Sequence, residues 1–85
     1  MDETNPVLKK AILGVVDKQL QNLDPPETKQ TYDRLIADGV SGKEARRLIG
    51  CVVSCEIFDV LKQQQPFDHD RFVKALNRLP KMPWE

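Results

Sequence analysis

The chain has 85 residues, of which 13 are lysine or arginine and 13 are aspartate or glutamate, so its formal net charge at pH 7 is zero. This balance argues against a surface built mainly to bind nucleic acid phosphates or anionic lipid. The length predicts one domain that buries only roughly 60 to 65% of its unfolded surface, so self-association would add to its stability.

The sequence shows no targeting or membrane signal. The opening MDETNPVLKK lacks the basic segment and long apolar run of a signal peptide, and no stretch reaches the ~18 uninterrupted apolar residues of a membrane span. Two cysteines do not make a disulfide framework and are expected to be free thiols. We therefore expect a cytoplasmic single domain over residues 1–85, with loose ends at 1–4 and 80–85, that does not enter a membrane.

The first helix is predicted from about residue 6 to residue 22. Asn5 offers an N-cap acceptor, and Pro6 suits a first helical turn because its φ is already fixed there. The apolar residues that follow recur with the i, i+3, i+4 spacing of an amphipathic helix. Gly14 lowers the stability of the helix by up to ~1 kcal/mol relative to alanine. We expect that this cost is offset by packing, with Gly14 at a close helix crossing.

The second helix is predicted from about residue 25 to residue 38. Two prolines open it, and Asp24 with Glu27 three residues later gives a variant of the capping box. Its apolar side is thin, so most of its surface is expected to face water. That side consists of Thr28, Tyr32, Leu35, Ile36 and Ala37.

The third helix, predicted over about residues 42 to 63, is the longest apolar segment. Gly39 is a C-terminal glycine cap for the helix before it, and Ser41 with Glu44 forms a capping box. A helix that is apolar nearly all round is normally surrounded by other helices or by a second copy of the protein. Its apolar residues are Ala45, Leu48, Ile49, Val52, Val53, Ile57, Phe58, Val60 and Leu61.

The fourth helix is predicted over about residues 69 to 78, with Asp68 as its N-cap and Phe67 and Phe72 as a hydrophobic staple. An extended C-terminal tail follows, in which Met82 and Trp84 either dock back on the domain or bind a partner. No stretch alternates with the period of a β-strand. The predicted fold class is therefore all-α, a compact bundle of four helices.

Several motifs occur in a recognisable order between residues 5 and 62: NPVL at 5–8, Gln19, the DPP turn, YDRL at 32–35, and Phe58 beside Asp59. This order resembles a small uncharacterised bacterial family of helical domains of unknown function. The resemblance implies the same helical fold in a bacterial cytosolic protein and assigns no activity. Members carry histidines in the first helix where this chain has Lys9 and Leu13, so no histidine site is carried over.

Two acids, Glu56 and Asp59, fall on the most apolar arc of the third helix. A buried carboxylate needs a cation or several hydrogen-bond donors, and the candidate partners are Arg34, Tyr32 and Lys18. The acids are interpreted either as a structural ion pair or as a ligand site with a perturbed acid.

Cys51 and Cys55 lie four residues apart on one helical face and could supply two ligands to zinc, with His69 as a third. A structural zinc site usually needs four ligands, so packing of reduced thiols is the alternative, and no cofactor is predicted.

A basic cluster follows the glycine turn in the outline of a helix-turn-helix motif, and it consists of Lys43, Arg46 and Arg47. The helix becomes apolar soon after this cluster, so the sequence gives little support to nucleic-acid binding.

No catalytic motif occurs in the sequence, because no serine has a suitably spaced histidine and acid and no phosphate loop exists. The leading hypothesis is a non-enzymatic helical interaction or regulatory module that forms a homodimer. The alternatives are a small ligand- or metal-binding protein that uses the acids or cysteines, and a nucleic-acid binder that uses the basic cluster.

Overall fold

The computed structural model describes residues 6–64 and 66–83, and it contains four α-helices over those ranges. They are α1 (Pro6–Asn22), α2 (Pro26–Ala37), α3 (Gly42–Gln63) and α4 (His69–Arg78). α3 contacts each of the other three helices, α1 packs on α2, and α2 packs on α4. The predicted all-α fold of four helices is confirmed, and α3 is its centre.

Local capping chemistry sets three of the predicted boundaries. The Ser41 hydroxyl accepts a hydrogen bond from the Glu44 N–H at 3.1 Å, and the Asp68 carboxylate accepts one from the Arg71 N–H at 3.0 Å. Gly39 ends α2 with φ of 95°, a conformation that residues with a Cβ rarely adopt. The Phe67 and Phe72 rings lie 5.6 Å apart, which confirms the staple at the start of α4.

The predicted N-cap of α2 is wrong. Pro25 is the N-cap, with no side-chain hydrogen bond, and its carbonyl accepts from the Thr28 N–H at 3.1 Å. The following Pro26 disfavours helical geometry at Pro25, so the helix begins one residue later than expected. The Asp24 N–H instead donates to the Gln19 carbonyl at 3.2 Å and so belongs to the end of α1.

The core forms around the first half of α3. Residues from all four helices are buried in it, and the α1 crossing lies at Gly50, where Ile12 and Leu13 approach within 3.5 and 3.8 Å of the position a Cβ would take. Gly14 is exposed, and no packing neighbour lies within 4 Å of the position that a Cβ on this residue would take. Its predicted role at a helix crossing is therefore wrong. The buried apolar core residues are Val16, Leu35, Ala45, Leu48, Ile49, Val52, Val53, Phe72, Leu76 and Leu79.

α2 buries a narrower and more polar face than its sequence suggested. Thr28, Thr31 and Leu35 are buried, whereas Ile36 and Ala37 are exposed. The Thr28 hydroxyl donates to Gln19 Oε1 at 3.0 Å, which satisfies a polar group inside the α1–α2 contact. Small hydroxyl side chains therefore let α2 pack closely against α1 and α3.

Arg34 fastens α2 to the end of α4. Its Nη1 donates to the Leu79 carbonyl at 2.9 Å and its Nη2 to the Leu76 carbonyl at 3.0 Å. Carbonyls at the end of a helix lack the usual donor from the next turn, so the guanidinium supplies one to Leu79 and adds a second to Leu76, whose carbonyl also accepts from the Leu79 N–H at 3.1 Å. The chain then turns through a Lys81 N–H bond to the Arg78 carbonyl, and Met82 packs against the core.

Three predictions lie outside the described residues, namely the loose end at residues 1–4, the capping role of Asn5 and the docking role of Trp84. None of the four helices, over the ranges that are described, combines the length and hydrophobicity that a bilayer crossing requires.

Two glycine substitutions should change stability in opposite directions. Gly14→Ala should raise the free energy of unfolding by about 0.5 to 1 kcal/mol, because it removes backbone entropy from an exposed helical position. Gly39→Ala should lower it by about 1 to 2 kcal/mol, because the positive φ strains a residue with a Cβ. Urea denaturation of both variants measures these changes, and a destabilised Gly14→Ala would contradict the open surroundings of that residue.

Candidate functional site

An apolar groove of about 310 Å³ opens between α1, the second half of α3 and the start of α4. We call it the α3 groove. One wall comes from α1, the floor comes from α3, and the two rings of the staple close the α4 side. Its lining residues are Val15, Gln19, Val53, Glu56, Ile57, Val60, Leu61, Phe67 and Phe72.

Large apolar side chains around this groove are open to solvent. Leu61 is 70% exposed, Phe67 54%, Ile57 43% and Val15 41%, and the neighbouring Phe58 is 61% exposed. The expectation that α3 is surrounded therefore holds only for its first half. Beyond its last buried residue, the helix presents an apolar surface that the described part of the chain leaves uncovered.

Glu56 marks the point where α3 changes from core to groove. It is only 5% exposed, and its carboxylate accepts two hydrogen bonds from Arg71, from Nε at 3.0 Å and from Nη2 at 3.2 Å. This paired geometry is the strong form of an arginine–carboxylate contact. The hydrogen bonds that Arg71 donates to Glu56 raise the pKa of Arg71, so the guanidinium keeps its charge.

The predicted partners of Glu56 are wrong. Arg34 is engaged by the end of α4, and Tyr32 lies at the α2–α3 turn, where its hydroxyl stands 2.8 Å from the position a Cβ on Gly42 would take. Lys18 is exposed on α1 and lines a different hollow. The cation comes instead from α4, where Arg71 directly precedes the buried Phe72 and contacts the carboxylate through its guanidinium.

Asp59 does not join this hydrogen-bonded pair. It is half-buried one turn beyond Glu56, where its negative charge adds to the effect of Glu56 on the pKa of Arg71. It also contributes, after burial and Cys51, to a raised pKa of Cys55. Of the two candidate acids, therefore, one is a structural ion-pair residue and the other is a charge at the edge of the site.

The cysteines are free, half-buried thiols whose pKa values are raised chiefly by burial. Among the described residues, no group of three histidine, cysteine, aspartate or glutamate side chains is close enough to hold a metal ion. His69 instead stands with its Nε2 3.7 Å from Glu27 Oε1, across the first turns of α4 and α2. The structure thus does not assemble the zinc ligands suggested by the sequence.

The two arginines of the basic cluster are bound by carboxylates. Arg46 donates to Asp17 on α1 through Nε at 2.8 Å and Nη2 at 2.7 Å, and Arg47 donates to Glu44 at 2.8 and 2.6 Å. Arg46 thereby ties α1 to α3, whereas the Arg47 pair lies within one helix. Each of these arginines already contacts a carboxylate, so a phosphate would have to compete with that carboxylate or bind beside it. In the described part of the chain, Lys43 is the one member of the predicted cluster that makes no ion pair.

No family model, curated protein or solved structure matches the chain. Its function is accordingly inferred from the geometry of the α3 groove and its surroundings.

Removing Arg71 should destabilise the domain more than removing both members of the ion pair. Arg71→Met leaves a buried carboxylate without its donors, whereas Arg71→Met combined with Glu56→Gln leaves an uncharged side chain in its place. The urea midpoint of the double variant should therefore be higher than that of Arg71→Met. Equal midpoints would show that Glu56 is solvated and that the pair is not structural.

The buried thiols should make stability fall at high pH. Burial raises the folded-state pKa of Cys51 and Cys55 above the ordinary value of 9.0, so the folded state holds its thiol protons where the unfolded state has lost them. This contribution is complete below pH 9 and disappears as the pH rises through the raised values. Urea titrations from pH 8 to pH 10 should show a shallower decline for a Cys51→Ala, Cys55→Ala double variant.

Proposed function

We propose that this protein is a non-enzymatic helical interaction module and that its α3 groove binds an amphipathic helix from a second copy of the chain. The observation that carries the proposal is the cluster of large apolar side chains, each at least 41% exposed, around one concavity built by three helices. Soluble monomers rarely leave such surfaces uncovered.

A helix suits the α3 groove better than a small polar ligand does. Its exposed walls are aliphatic and aromatic side chains, and the carboxylate of Glu56 already receives two hydrogen bonds from Arg71. Recognition of an amphipathic helix requires mainly an apolar surface that accepts residues spaced at i, i+3 and i+4. The ion pair then fixes the groove wall and leaves the apolar side chains to bind.

A second copy supplies a matching surface. The second half of α3 bears Leu61, which lines the groove and is 70% exposed, and Phe58, which follows the groove residue Ile57 and is 61% exposed. In a dimer with two-fold symmetry, the same surface of both copies forms the interface. Leu61 of one copy can therefore enter the groove of the other, while Leu61 of the second copy enters the groove of the first.

The charges near this surface also permit self-association. Asp59 and Lys62 lie three residues apart on α3, so two antiparallel copies bring opposite charges together, and the zero net charge avoids long-range repulsion. A standard interface needs roughly 800 Å² per partner, about a seventh of the 5695 Å² accessible surface of this domain.

The proposal extends to the cellular setting. Two cysteines that remain free thiols fit a reducing cytoplasm, and the motif order from NPVL to Phe58 and Asp59 supports membership of the bacterial helical family that it resembles. Arg71 holds Glu56 and burial raises the pKa of both thiols, so none of these three candidate groups is arranged as an activated base or nucleophile, which supports the non-enzymatic part of the proposal.

Sedimentation equilibrium should show a reversible dimer that groove substitutions weaken. Ile57→Glu and Leu61→Glu each place a charge in the apolar contact, so the dimer dissociation constant should rise roughly tenfold or more. The matched control is Ile36→Glu on α2, because Ile36 is 40% exposed against 43% for Ile57 and does not line the groove.

The controls separate the interface from folding. Circular dichroism should show equal helix content for the three glutamate variants and the parent chain. A parent chain that stays monomeric at high micromolar concentration would contradict the dimer, and equal weakening by Ile36→Glu would contradict the assignment of the interface to the α3 groove.

A further inference from the structure

A second hollow, of about 300 Å³, lies between α1 and α3 and shares no lining residue with the α3 groove. We call it the α1/α3 pocket. Its apolar part comes from Leu8, Ile12 and Leu13 of α1, and its α3 side is formed by small residues, Gly50, Cys51 and Ser54. Small residues on one side and branched aliphatic residues on the other leave a narrow apolar slot.

The rim of this pocket is cationic, with Lys9 on the α1 side and Arg47 on the α3 side. Lys9 makes no ion pair with any residue that the structure describes. Arg47 contacts Glu44 through Nε and Nη2, which leaves the two hydrogens of Nη1 for another acceptor. An adjoining hollow shares Lys9 and adds Lys10 together with the Asp17–Arg46 ion pair, whose charges cancel. A chain with zero net charge thus places an excess of positive charge beside an apolar slot.

The thiol inside the pocket is suited to an apolar occupant. Cys51 is half-buried, and burial raises its pKa, so it is a neutral, polarizable contact at physiological pH. It neither repels a carboxylate at the rim nor requires a metal. The volume lies at the lower end of the range for ligand pockets, which suits one alkyl chain.

We propose that the α1/α3 pocket binds an anionic amphiphile, a medium-chain alkyl carboxylate whose chain lies against Ile12, Leu13 and Cys51 and whose carboxylate meets Lys9 and Arg47. Charge complementarity selects an anion over a cation or a neutral alcohol, because Lys9 is without an ion pair among the described residues and Arg47, although paired with Glu44, keeps the hydrogens of Nη1 for another acceptor. The cationic rim distinguishes this pocket from the α3 groove of similar volume, so its occupant carries an anionic head group as well as an apolar chain.

Calorimetric titration of the full chain with decanoate tests this site. Decanoate should bind saturably with a stoichiometry of one per chain, and decyltrimethylammonium should not, because it matches the chain length and reverses the charge. Lys9→Gln should weaken decanoate binding about tenfold, since it removes one charge-assisted contact. Lys74→Gln is the control, because Lys74 is an exposed lysine of α4 that lines neither pocket.

A second measurement locates the chain of the ligand. In a Cys55→Ser background, decanoate should slow alkylation of Cys51 in proportion to its occupancy, and Ser54→Leu, which fills the slot, should abolish both binding and protection. Absence of saturable binding, equal binding of the ammonium compound, or unchanged binding by Lys9→Gln would overturn the proposal. Protection of Cys51 that rises with protein concentration without decanoate would also overturn it, because a second copy would then occupy the pocket.

Discussion

The ion pair between Glu56 and Arg71 determines how α4 meets α3 and therefore where the core ends and the α3 groove begins. A carboxylate that is only 5% exposed cannot remain charged without donors, and the guanidinium supplies two of them. With Arg71 fixed in this way, the next residue, Phe72, enters the core, and Phe67 stands at the rim of the groove. A polar contact thus sets the geometry of an apolar surface.

This arrangement divides α3 into two parts with different roles. Its first half, around Ile49 and Val52, is buried by α1, α2 and α4, and the close approach of α1 at Gly50 makes that burial possible. Its second half, around Ile57 and Leu61, is left open. A small domain has too little chain to cover a helix of 22 residues along its whole length, so the uncovered half is available for association.

Much of the fold could be predicted from sequence because its boundaries depend on local chemistry. The Ser41 and Asp68 caps, the glycine at residue 39 and the phenylalanine staple act within a few residues of chain, and each lies where its pattern indicated. The α2 cap failed for an equally local reason, since consecutive prolines shift the first helical residue from Pro25 to Pro26.

The candidate site was less predictable than the fold because the residues that interact in it come from different helices. Burial of Glu56 followed from helical periodicity, but the choice of Arg71 over Arg34 depends on which helix packs on that face, and periodicity within one helix does not determine this. The sequence predicted a close crossing at Gly14, whereas the packing of α1 places it at Gly50, which no local pattern singled out. The one available signal for Arg71 was its position beside Phe72, a residue already predicted to pack against Phe67 in the hydrophobic staple.

The central claim is that the α3 groove is the surface through which two copies meet. Isotope-filtered nuclear Overhauser spectroscopy on a mixture of labelled and unlabelled chains observes such contacts directly. The account predicts intermolecular signals from the methyl groups of Ile57 and Leu61 to aromatic protons of Phe58 or Phe67 in the other copy. Intermolecular signals confined to other surfaces, such as Ile36 on α2, or none at a concentration where the chain is dimeric, would contradict it.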